Sequence, residues 1–309
     1  MRPIPHKEAL ILPHVYCGRH FSDCELARLG ELSRLLPSRE AIARAFCTEF
    51  RWLKPDGGLK AMSCKVAMLR MHRDGLIVLP PPRPGIAPPR ARTPTPLAHA
   101  LPQGLPVRGS RGDIARLTLD PVNKATSRTW NDLMAQYHYL GYSPLPGAQL
   151  RYFIHGDGQL LGALGFGAAA WTIAPRDDFI GWSPAQRQAH LHLVVNNARF
   201  LLLPWVCIRY LASSVLSLAA RQLPNDWARR FAYRPVLLET FVQCDRFPGT
   251  SYKAANWVHV GCTQGRGKLD RHNLFAQPVK DIYLYPLAPN FRATLTAPLP
   301  DPSPTHLTE

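Results

Sequence analysis

Four acidic side chains in the second half of the chain are of the type needed for metal-dependent chemistry, because converging carboxylates bind the ions that cleave phosphodiesters. They are Asp177, Asp178, Glu239 and Asp245. Two of them are neighbours in sequence, whereas the other two lie in and after a later apolar run. Spacing along a chain cannot establish that such groups converge in space. The sequence therefore leaves phosphodiester cleavage open and predicts no metal site.

Amide and basic side chains offer a second kind of chemistry, which is contact with nucleic acid. Asn196 and Asn197 follow an apolar stretch, and two amides can hydrogen-bond to the edge of a base. The alternative is a polar turn whose side chains satisfy backbone groups. Arg266, Lys268 and Arg271 lie in a glycine-rich segment near the end of the chain. Such a basic loop suits contact with phosphates, and the alternative is a solvated surface loop.

The elements that position these side chains belong to a globular and strongly basic chain. Its 309 residues include 37 lysines and arginines but 21 acids, which gives a formal net charge of +16. This excess favours DNA, or RNA, as a partner. No apolar run approaches the ~20 residues that cross a bilayer, and no apolar leader opens the chain, so we expect a cytoplasmic protein without a membrane partner. Seven cysteines without a Cys-x-x-Cys pair predict reduced thiols and no zinc knuckle.

A proline-rich segment divides the chain. Residues 80–106 hold ten prolines and several arginines, a composition that favours extended backbone and cannot form a core. We therefore predict an N-terminal module over 1–79, a basic linker over 80–112, a main domain over 113–288 and a C-terminal tail over 289–309.

Three helices are predicted in the N-terminal module. Ser22 and Glu25 have the spacing of a capping box at the start of the first. The second helix covers residues 37–50, and the third covers 61–73. An apolar run at 76–79 then predicts a short β wing. Two helices joined by a turn and followed by a wing are the outline of a winged helix.

The third helix has one apolar and one basic side. We expect its inner face to consist of Cys64, Ala67, Met68 and Met71. The residues left outside, which we predict to bind nucleic acid, are Lys60, Lys65, Arg70 and Arg73. The alternative is a small helical module that binds protein.

The main domain alternates between strands and helices. A strand is predicted over 114–120, a helix over 126–139, and a hairpin whose arms, 149–154 and 159–166, flank a Gly-Asp-Gly turn. A strand over 199–206 and an amphipathic helix over 211–223 follow. The last predicted elements are a strand over 235–242, a helix over 249–256 and strands near 258–263 and 280–287.

The end of this series resembles the closing half of a Gcn5-related acetyltransferase (GNAT) domain, with the family pattern Tyr-x-x-x-Gly-Phe-x-x-x-Gly. The matching residues are Tyr252-Lys253-Ala254-Ala255-Asn256-Trp257-Val258-His259-Val260-Gly261. The order of elements is similar to a GNAT domain from end to end. We therefore expect an α/β fold with a GNAT-like mixed, twisted sheet flanked by helices, preceded by a mostly helical, winged-helix-like module.

The resemblance also implies a cofactor site. GNAT proteins bind the pyrophosphate of acetyl-CoA where the fourth strand turns into its helix, with the pattern Arg/Gln-x-x-Gly-x-Gly/Ala. Arg209 matches the first position, while Ala212 and Ser214 replace both glycines, so small size is kept and backbone freedom is reduced. These three residues are the implied binding site for acetyl-CoA or another acyl-CoA. The sequence by itself assigns no cofactor.

The same resemblance aligns Tyr252 with the tyrosine that often protonates the departing coenzyme A thiolate. Asp245 stands seven residues before it, where the family normally has asparagine. Tyr252, Asp245 and the strand residue Glu239 are the predicted catalytic residues of a GNAT-type acyltransferase. The alternative for Tyr252 is a core tyrosine on the helix face.

A narrower resemblance covers nearly the whole chain, including residues 51–82. Its motifs are Tyr137-His138-Tyr139-Leu140-Gly141-Tyr142, Pro146-Gly147-Ala148-Gln149-Leu150-Arg151-Tyr152, Phe179-Ile180-Gly181-Trp182, Val195-Asn196-Asn197-Ala198-Arg199-Phe200-Leu201 and Gly249-Thr250-Ser251-Tyr252-Lys253-Ala254-Ala255-Asn256-Trp257. These are similar to the DruA family of the Druantia anti-phage system, whose members also sit in or beside insertion sequences. The last motif also resembles, over a shorter stretch, phage Mom proteins, which are GNAT-like enzymes that modify adenine in DNA.

Three functions follow from these patterns. The first is a DNA-acting component of a Druantia-type anti-phage defence system or mobile element, working with other proteins of that system. The second is an acyl-CoA-dependent transferase that modifies a nucleobase. The third is a non-catalytic adaptor, or transposase-associated DNA-binding protein, that keeps the GNAT-like fold as a scaffold. Stability measured with and without acetyl-CoA separates the second function from the others.

Overall fold

The computed structural model of the chain describes residues 14–54, 57–81, 106–265 and 277–298. The chain divides into two compact units, Met1–Thr95 and Pro96–Glu309. The division falls inside the proline-rich segment that the sequence predicts as a linker. Each unit has hydrophobic clusters of its own.

The N-terminal unit is a β-hairpin followed by three helices, namely β1 (His14–Tyr16), β2 (Arg19–Phe21), α1 (Asp23–Leu35), α2 (Arg39–Glu49) and α3 (Ala61–Arg73). Ser22 and Glu25 cap the start of α1 reciprocally. The Glu25 amide donates to the serine Oγ, and the Ser22 amide donates to the glutamate carboxylate. This confirms the predicted capping box.

The core of this unit uses the predicted inner face of α3. The buried residues of that helix are Cys64, Ala67, Met68 and Met71. Residues 76–79, however, do not form the predicted wing strand. Ile77 and Leu79 turn into the core, and the carbonyl groups of Ile77 and Pro80 contact the side chains of His72 and Arg39 instead of a partner strand. The hairpin of this unit precedes α1, so the order of elements differs from a helix, helix, wing arrangement.

The main unit is longer than predicted at both ends. Its elements are β3 (Val107–Ser110), β4 (Leu117–Pro121), α4 (Ser127–Tyr137), β5 (Leu150–Gly156), β6 (Gln159–Ala168), α5 (Ala174–Ile180), α6 (Pro184–His190), β7 (Val194–Leu202), β8 (Val206–Arg209), α7 (Leu211–Phe231), β9 (Leu237–Gln243), α8 (Thr250–Ala254), β10 (Val258–Cys262), β11 (Lys280–Pro286) and α9 (Phe291–Leu295). β3 lies within the predicted linker and pairs in parallel with β8. Phe291 and Leu295 of α9 are buried, so part of the predicted tail belongs to the core.

The other seven strands of the main unit form one mixed sheet in the order β10-β11-β9-β7-β6-β5-β4. Every neighbouring pair is antiparallel except β7 and β9, which run parallel. This sheet with its helices confirms the expected GNAT-like α/β fold. The parallel pairing joins only residues 194–196 and 237–239, although both strands continue further. β7 and β9 therefore separate beyond that point and open a cleft in the sheet.

Several predicted elements are present with different bounds. The hairpin turn is confirmed, since Asp157 and Gly158 between β5 and β6 have φ angles of 49° and 83°. β7 begins before the predicted start at Arg199. α7 continues through Pro224 to Phe231, beyond the predicted end of the helix. α5 and α6 are additional to the predicted elements. Among the described residues, no helix has both the length and the hydrophobicity to cross a membrane.

Candidate functional site

The cleft between the diverging ends of β7 and β9 is the candidate functional site of the main unit. It has a volume of about 290 Å³ and is lined partly by α8 and the loop before it. Its main polar lining residues are His138, Tyr139, Asn197, Thr240, Thr250, Ser251 and Tyr252. A concave space with a few converging polar groups is the usual form of a small-molecule binding site.

Tyr252 takes part in a buried hydrogen-bond network in this cleft. Its hydroxyl donates to Asn197 Oδ1 over 2.8 Å, and Thr240 Oγ1 lies 3.3 Å from the same hydroxyl. Thr240 Oγ1 is closer, at 3.0 Å, to the Asn197 carbonyl oxygen, which is the better acceptor for its single proton. All three residues are buried. Burial raises the pKa of the Tyr252 phenol, so the hydroxyl keeps its proton at neutral pH.

The orientation of the Asn197 amide is fixed by two acceptors. Its Nδ2 donates to the carbonyl oxygens of Gly165, over 3.3 Å, and Arg199, over 3.1 Å. Because carbonyl oxygens cannot donate, the amide oxygen has to face Tyr252. The Tyr252 proton is therefore directed at Asn197, and a substrate that accepts this proton has to displace the amide oxygen.

The backbone before α8 brings Tyr252 close to β11. Gly249 has a φ of 68°, a left-handed conformation that glycine adopts without strain. A Cβ at this position would lie 2.3 Å from the Tyr283 hydroxyl, so a larger residue does not fit. The Tyr283 ring stacks on the Tyr252 ring with a centroid distance of 5.8 Å. The glycine thus allows the two tyrosine rings to pack.

His138 adds an uncharged hydrogen-bond donor to the cleft. Burial and the charges of Arg199 and Arg246 lower the pKa of His138 to about 4, so the ring is neutral at pH 7. The Leu140 amide donates to Nδ1 over 3.2 Å, which leaves the ring proton on Nε2. In this tautomer Nε2 donates a hydrogen bond and cannot act as a proton acceptor.

The two neighbouring asparagines do not act as a pair. They are adjacent residues of β7, and adjacent residues of a strand point to opposite faces of the sheet. Asn197 lines the cleft, whereas Asn196 Oδ1 is buried without a hydrogen-bond partner among the described residues. The two amides therefore do not present themselves together to one base edge. The alternative of a turn is wrong as well, although the Asn197 side chain does satisfy backbone groups.

The predicted carboxylates do not converge on Tyr252. Glu239 is fully buried on β9, where it accepts from Arg176 Nη1 over 2.8 Å and from the Ala170 amide over 2.7 Å. Asp177 accepts from the same arginine. Alternation along β9 places Glu239 on the face opposite to Thr240, which lines the cleft. Contrary to the prediction, Glu239 therefore does not share a site with Tyr252.

The remaining two acids are at the surface. Asp178 is an exposed residue of α5, and Asp245 is exposed in the loop between β9 and α8. Burial raises the pKa of Tyr139 in the cleft wall, and the charge of Asp245 adds to this rise. The structure therefore brings Asp245 near Tyr139 and places no metal-binding cluster of these four acids in the cleft.

Replacing Arg176 by methionine should destabilise the main unit by about 3–5 kcal/mol at pH 7, because the Glu239 carboxylate is then buried without its cation. Burial already raises the pKa of Glu239, and loss of the arginine should raise it further. A carboxyl whose folded pKa exceeds its unfolded pKa destabilises the fold as pH rises, so the loss should shrink at lower pH. Urea unfolding at neutral and mildly acidic pH measures both effects.

Arg229→Met is the matched control for this replacement. Arg229 pairs with Asp226 at 3.4 Å, but its side chain is 80% exposed. Its removal should therefore cost less than about 1 kcal/mol. If the two variants lose equal free energy of unfolding, burial does not increase the contribution of the Arg176–Glu239 pair to stability.

The predicted cofactor residues lie at the end of β8 and in the first turn of α7. Arg209 is exposed, and Ala212 lines the cleft. Ser214 instead lines a separate groove of about 610 Å³, whose cationic residues are Arg111, Arg116 and Arg221. Among the described residues, α7 has no side-chain capping hydrogen bond at its start. Its free amide groups, small side chains and neighbouring cations fit an anionic group such as a pyrophosphate.

The predicted nucleic-acid-binding residues of α3 differ in their surroundings. Arg70 and Arg73 are exposed, and neither pairs with a carboxylate among the described residues. Lys65 forms an ion pair with Glu40, and Lys60 is half-buried at the start of the helix. The other predicted contacts lie outside the described residues, namely Arg266, Lys268 and Arg271.

The main unit is a GNAT-like domain by its architecture. It has a seven-stranded mixed sheet, a cleft where the parallel strands β7 and β9 separate, and the helix α8 with Tyr252 beside that cleft. Residues 105–277 match the family described as Druantia protein DruA, which is more than half of the chain. The chain belongs to this family. No curated protein matches it.

Solved acetyltransferases are similar to this chain at low identity. The ribosomal-protein-S18-alanine N-acetyltransferase from Escherichia coli is 8% identical, with a TM-score of 0.35 over 56% of this chain and 95% of its own. A probable acetyltransferase from Staphylococcus epidermidis is 7% identical, with a TM-score of 0.36 over 56% and 100%. An aminoglycoside acetyltransferase in complex with coenzyme A and kanamycin is 10% identical, with a TM-score of 0.36 over 55% and 95%. Similarities of this size carry no information about the chemistry of this chain.

Proposed function

We propose that this protein is a DNA-acting component of a Druantia-type anti-phage defence system. The observation that carries the proposal is the match of residues 105–277 to the Druantia protein DruA family. In this role the protein works in the cytoplasm with other proteins of the system and binds DNA through both of its units. A mobile element that carries the same family is the alternative setting.

The proposed DNA-binding surface of the N-terminal unit is the exposed side of α3 that carries Arg70 and Arg73. Neither guanidinium group has a described carboxylate partner, so both are available to phosphates. The opposite side of the helix is buried in the core through Cys64, Met68 and Met71. The net charge of +16 adds a long-range attraction to polyanions.

Replacing Arg70 and Arg73 together by glutamine should weaken binding of the full-length protein to double-stranded DNA to a similar extent for all sequences. Each lost phosphate contact should lower the salt slope by about one. Fluorescence anisotropy with labelled duplexes measures both. The double replacement Arg34→Gln and Arg51→Gln removes the same charge from exposed positions outside α3 and is the matched control. Equal losses from both pairs would assign binding to net charge and overturn the proposed surface.

A second function, group transfer to a nucleobase, is favoured by the cleft at Tyr252. The phenol holds a proton that it can donate, and the neutral His138 supplies a further donor in the same cleft. Arg209, Ala212 and the uncapped start of α7 would hold the pyrophosphate of an acyl-CoA. When bound, that cofactor supplies an activated acyl group.

Acetyl-CoA at about 100 times its dissociation constant should add about 2.7 kcal/mol to the stability of the folded protein. Thermal melts of the full-length chain with and without millimolar acetyl-CoA measure this gain. Ala212→Asp places a negative charge at the proposed pyrophosphate site, so it should abolish the gain. The melt without cofactor should change little, because an acid is favourable in the first turn of a helix. No gain in the unmodified chain would remove the acyltransferase function and leave the DNA-acting role in place.

A further inference from the structure

Two thiols and a carboxylate meet at one edge of the main sheet. Cys244 directly follows β9, Cys262 ends β10, and Asp281 lies near the start of β11, the strand between them. Their ligand atoms all lie within 4.8 Å of one another. Cys262 Sγ is 3.1 Å from Asp281 Oδ1. The cluster is assembled by the sheet from distant parts of the sequence, which is why cysteine spacing does not predict it.

A β-bulge brings a histidine to the same side of the sheet. In a regular strand His259 and Cys262 would point to opposite faces, because their separation is an odd number of residues. The register of β10 shifts between His259 and Gly261, so Cys262 pairs with Asp281 while His259 pairs with Tyr283. Gly261 has a φ of 134°, which favours glycine. His259 Nε2 consequently lies 3.0 Å from Asp281 Oδ1.

We propose that Cys244, Cys262 and Asp281 bind a zinc ion. Zinc combines thiolate and carboxylate ligands in tetrahedral sites, whereas Mg²⁺ and Ca²⁺ are bound through oxygen ligands. Three protein ligands leave a fourth position for water or for His259. The contact between His259 and the Asp281 carboxylate is typical of the outer partners that orient a metal ligand.

The zinc ion would join three neighbouring strands beside the cleft. Asp281 and Tyr283 are on the same strand, and the Tyr283 ring stacks on the Tyr252 ring. The ion would therefore hold the strand that supports Tyr252. None of the three proposed ligands lines the cleft itself. The site thus does not depend on whether the cleft transfers a group or the protein binds DNA.

Purified full-length protein should contain about one zinc ion per chain, measured by elemental mass spectrometry. After the zinc is removed with a chelator, titration with Co²⁺ should give the visible bands of tetrahedral cobalt and a thiolate-to-cobalt charge-transfer band. Cys244→Ser and Cys262→Ser should each lower zinc affinity by more than about 100-fold, since outer partners alone contribute about 10–100-fold. Cys207→Ser removes an exposed cysteine of β8 and, as the matched control, should bind zinc like the unmodified chain.

Asp281→Asn keeps the size of the side chain and removes its charge. This variant tests the site if a cysteine variant does not fold. It should weaken zinc binding while circular dichroism shows a folded protein. A disulfide between Cys244 and Cys262 in freshly purified, metal-free protein would overturn the site. Zinc that remains bound with unchanged affinity after both cysteine replacements would belong to other residues and would overturn it as well.

Discussion

Raising the salt concentration from about 50 mM to about 200 mM should weaken binding of the full-length protein to double-stranded DNA by about 10³–10⁵-fold, the range for about six to ten phosphate contacts. Each neutralised phosphate releases counterions, and this release becomes less favourable as the salt concentration rises. The net charge of +16 and the exposed arginines of α3 supply cations for such contacts. Lys65 contributes less to the proposed binding surface on α3, because it forms an ion pair with Glu40.

Anisotropy measured across a salt series gives the slope of log affinity against log salt concentration. The slope of the Arg70→Gln, Arg73→Gln variant should be shallower than that of the unmodified chain by about two. Sucrose added to the same osmolality is the control, and it should leave the affinity unchanged because it releases no ions. If the affinity for DNA does not change across the salt series, binding through contacts with the DNA phosphates is excluded. The role in defence would then depend on contacts with proteins.

A strand boundary could be predicted where neighbouring residues in the sequence determine it, and could not where a partner on another strand does. The hairpin of β5 and β6 could be predicted because Asp157 and Gly158 tolerate the positive φ angles of its turn. The start of β7 could not, because Asn196 and Asn197 are residue types that favour turns. Asn197 is accommodated inside the sheet by partners such as the Gly165 carbonyl, which belongs to another strand. No local pattern encodes that partner.

The same limit applies to the candidate site. Tyr252 could be predicted as a candidate site residue from the GNAT resemblance. Its surroundings in the cleft could not, because the hydrogen-bond acceptor Asn197 and the neighbouring Thr240 come from two other strands. The prediction of Glu239 as a residue of the same site was wrong. A carboxylate in an apolar strand suggests chemistry, yet Arg176 satisfies it from 63 residues away along the chain. Charge type can be read from a sequence, whereas the long-range partner that neutralises the charge cannot.

Under the proposed group transfer, Tyr252→Phe should lower the rate in the cleft by about 10²–10⁴-fold, the usual contribution of a general acid. The replacement removes only the hydroxyl, but it also leaves the buried Asn197 Oδ1 without its donor. Stability should therefore fall by about 1–3 kcal/mol. Two measurements are needed together, namely thermal melts of the purified variant and phage protection of bacteria that carry the complete defence system. Protection should be lost at temperatures where the variant is still folded.

Tyr283→Phe is the matched control, since its ring stacks on Tyr252 and its buried hydroxyl has no hydrogen-bond partner among the described residues. Removal of the Tyr283 hydroxyl should leave the stability of the protein and phage protection close to those of the unmodified chain. If Tyr252→Phe lowers protection only as far as it lowers stability, the Tyr252 hydroxyl is a packing group. The GNAT-like fold is then a scaffold, because a proton donor cannot be removed from a working catalytic site without a loss of rate beyond the loss of folded protein.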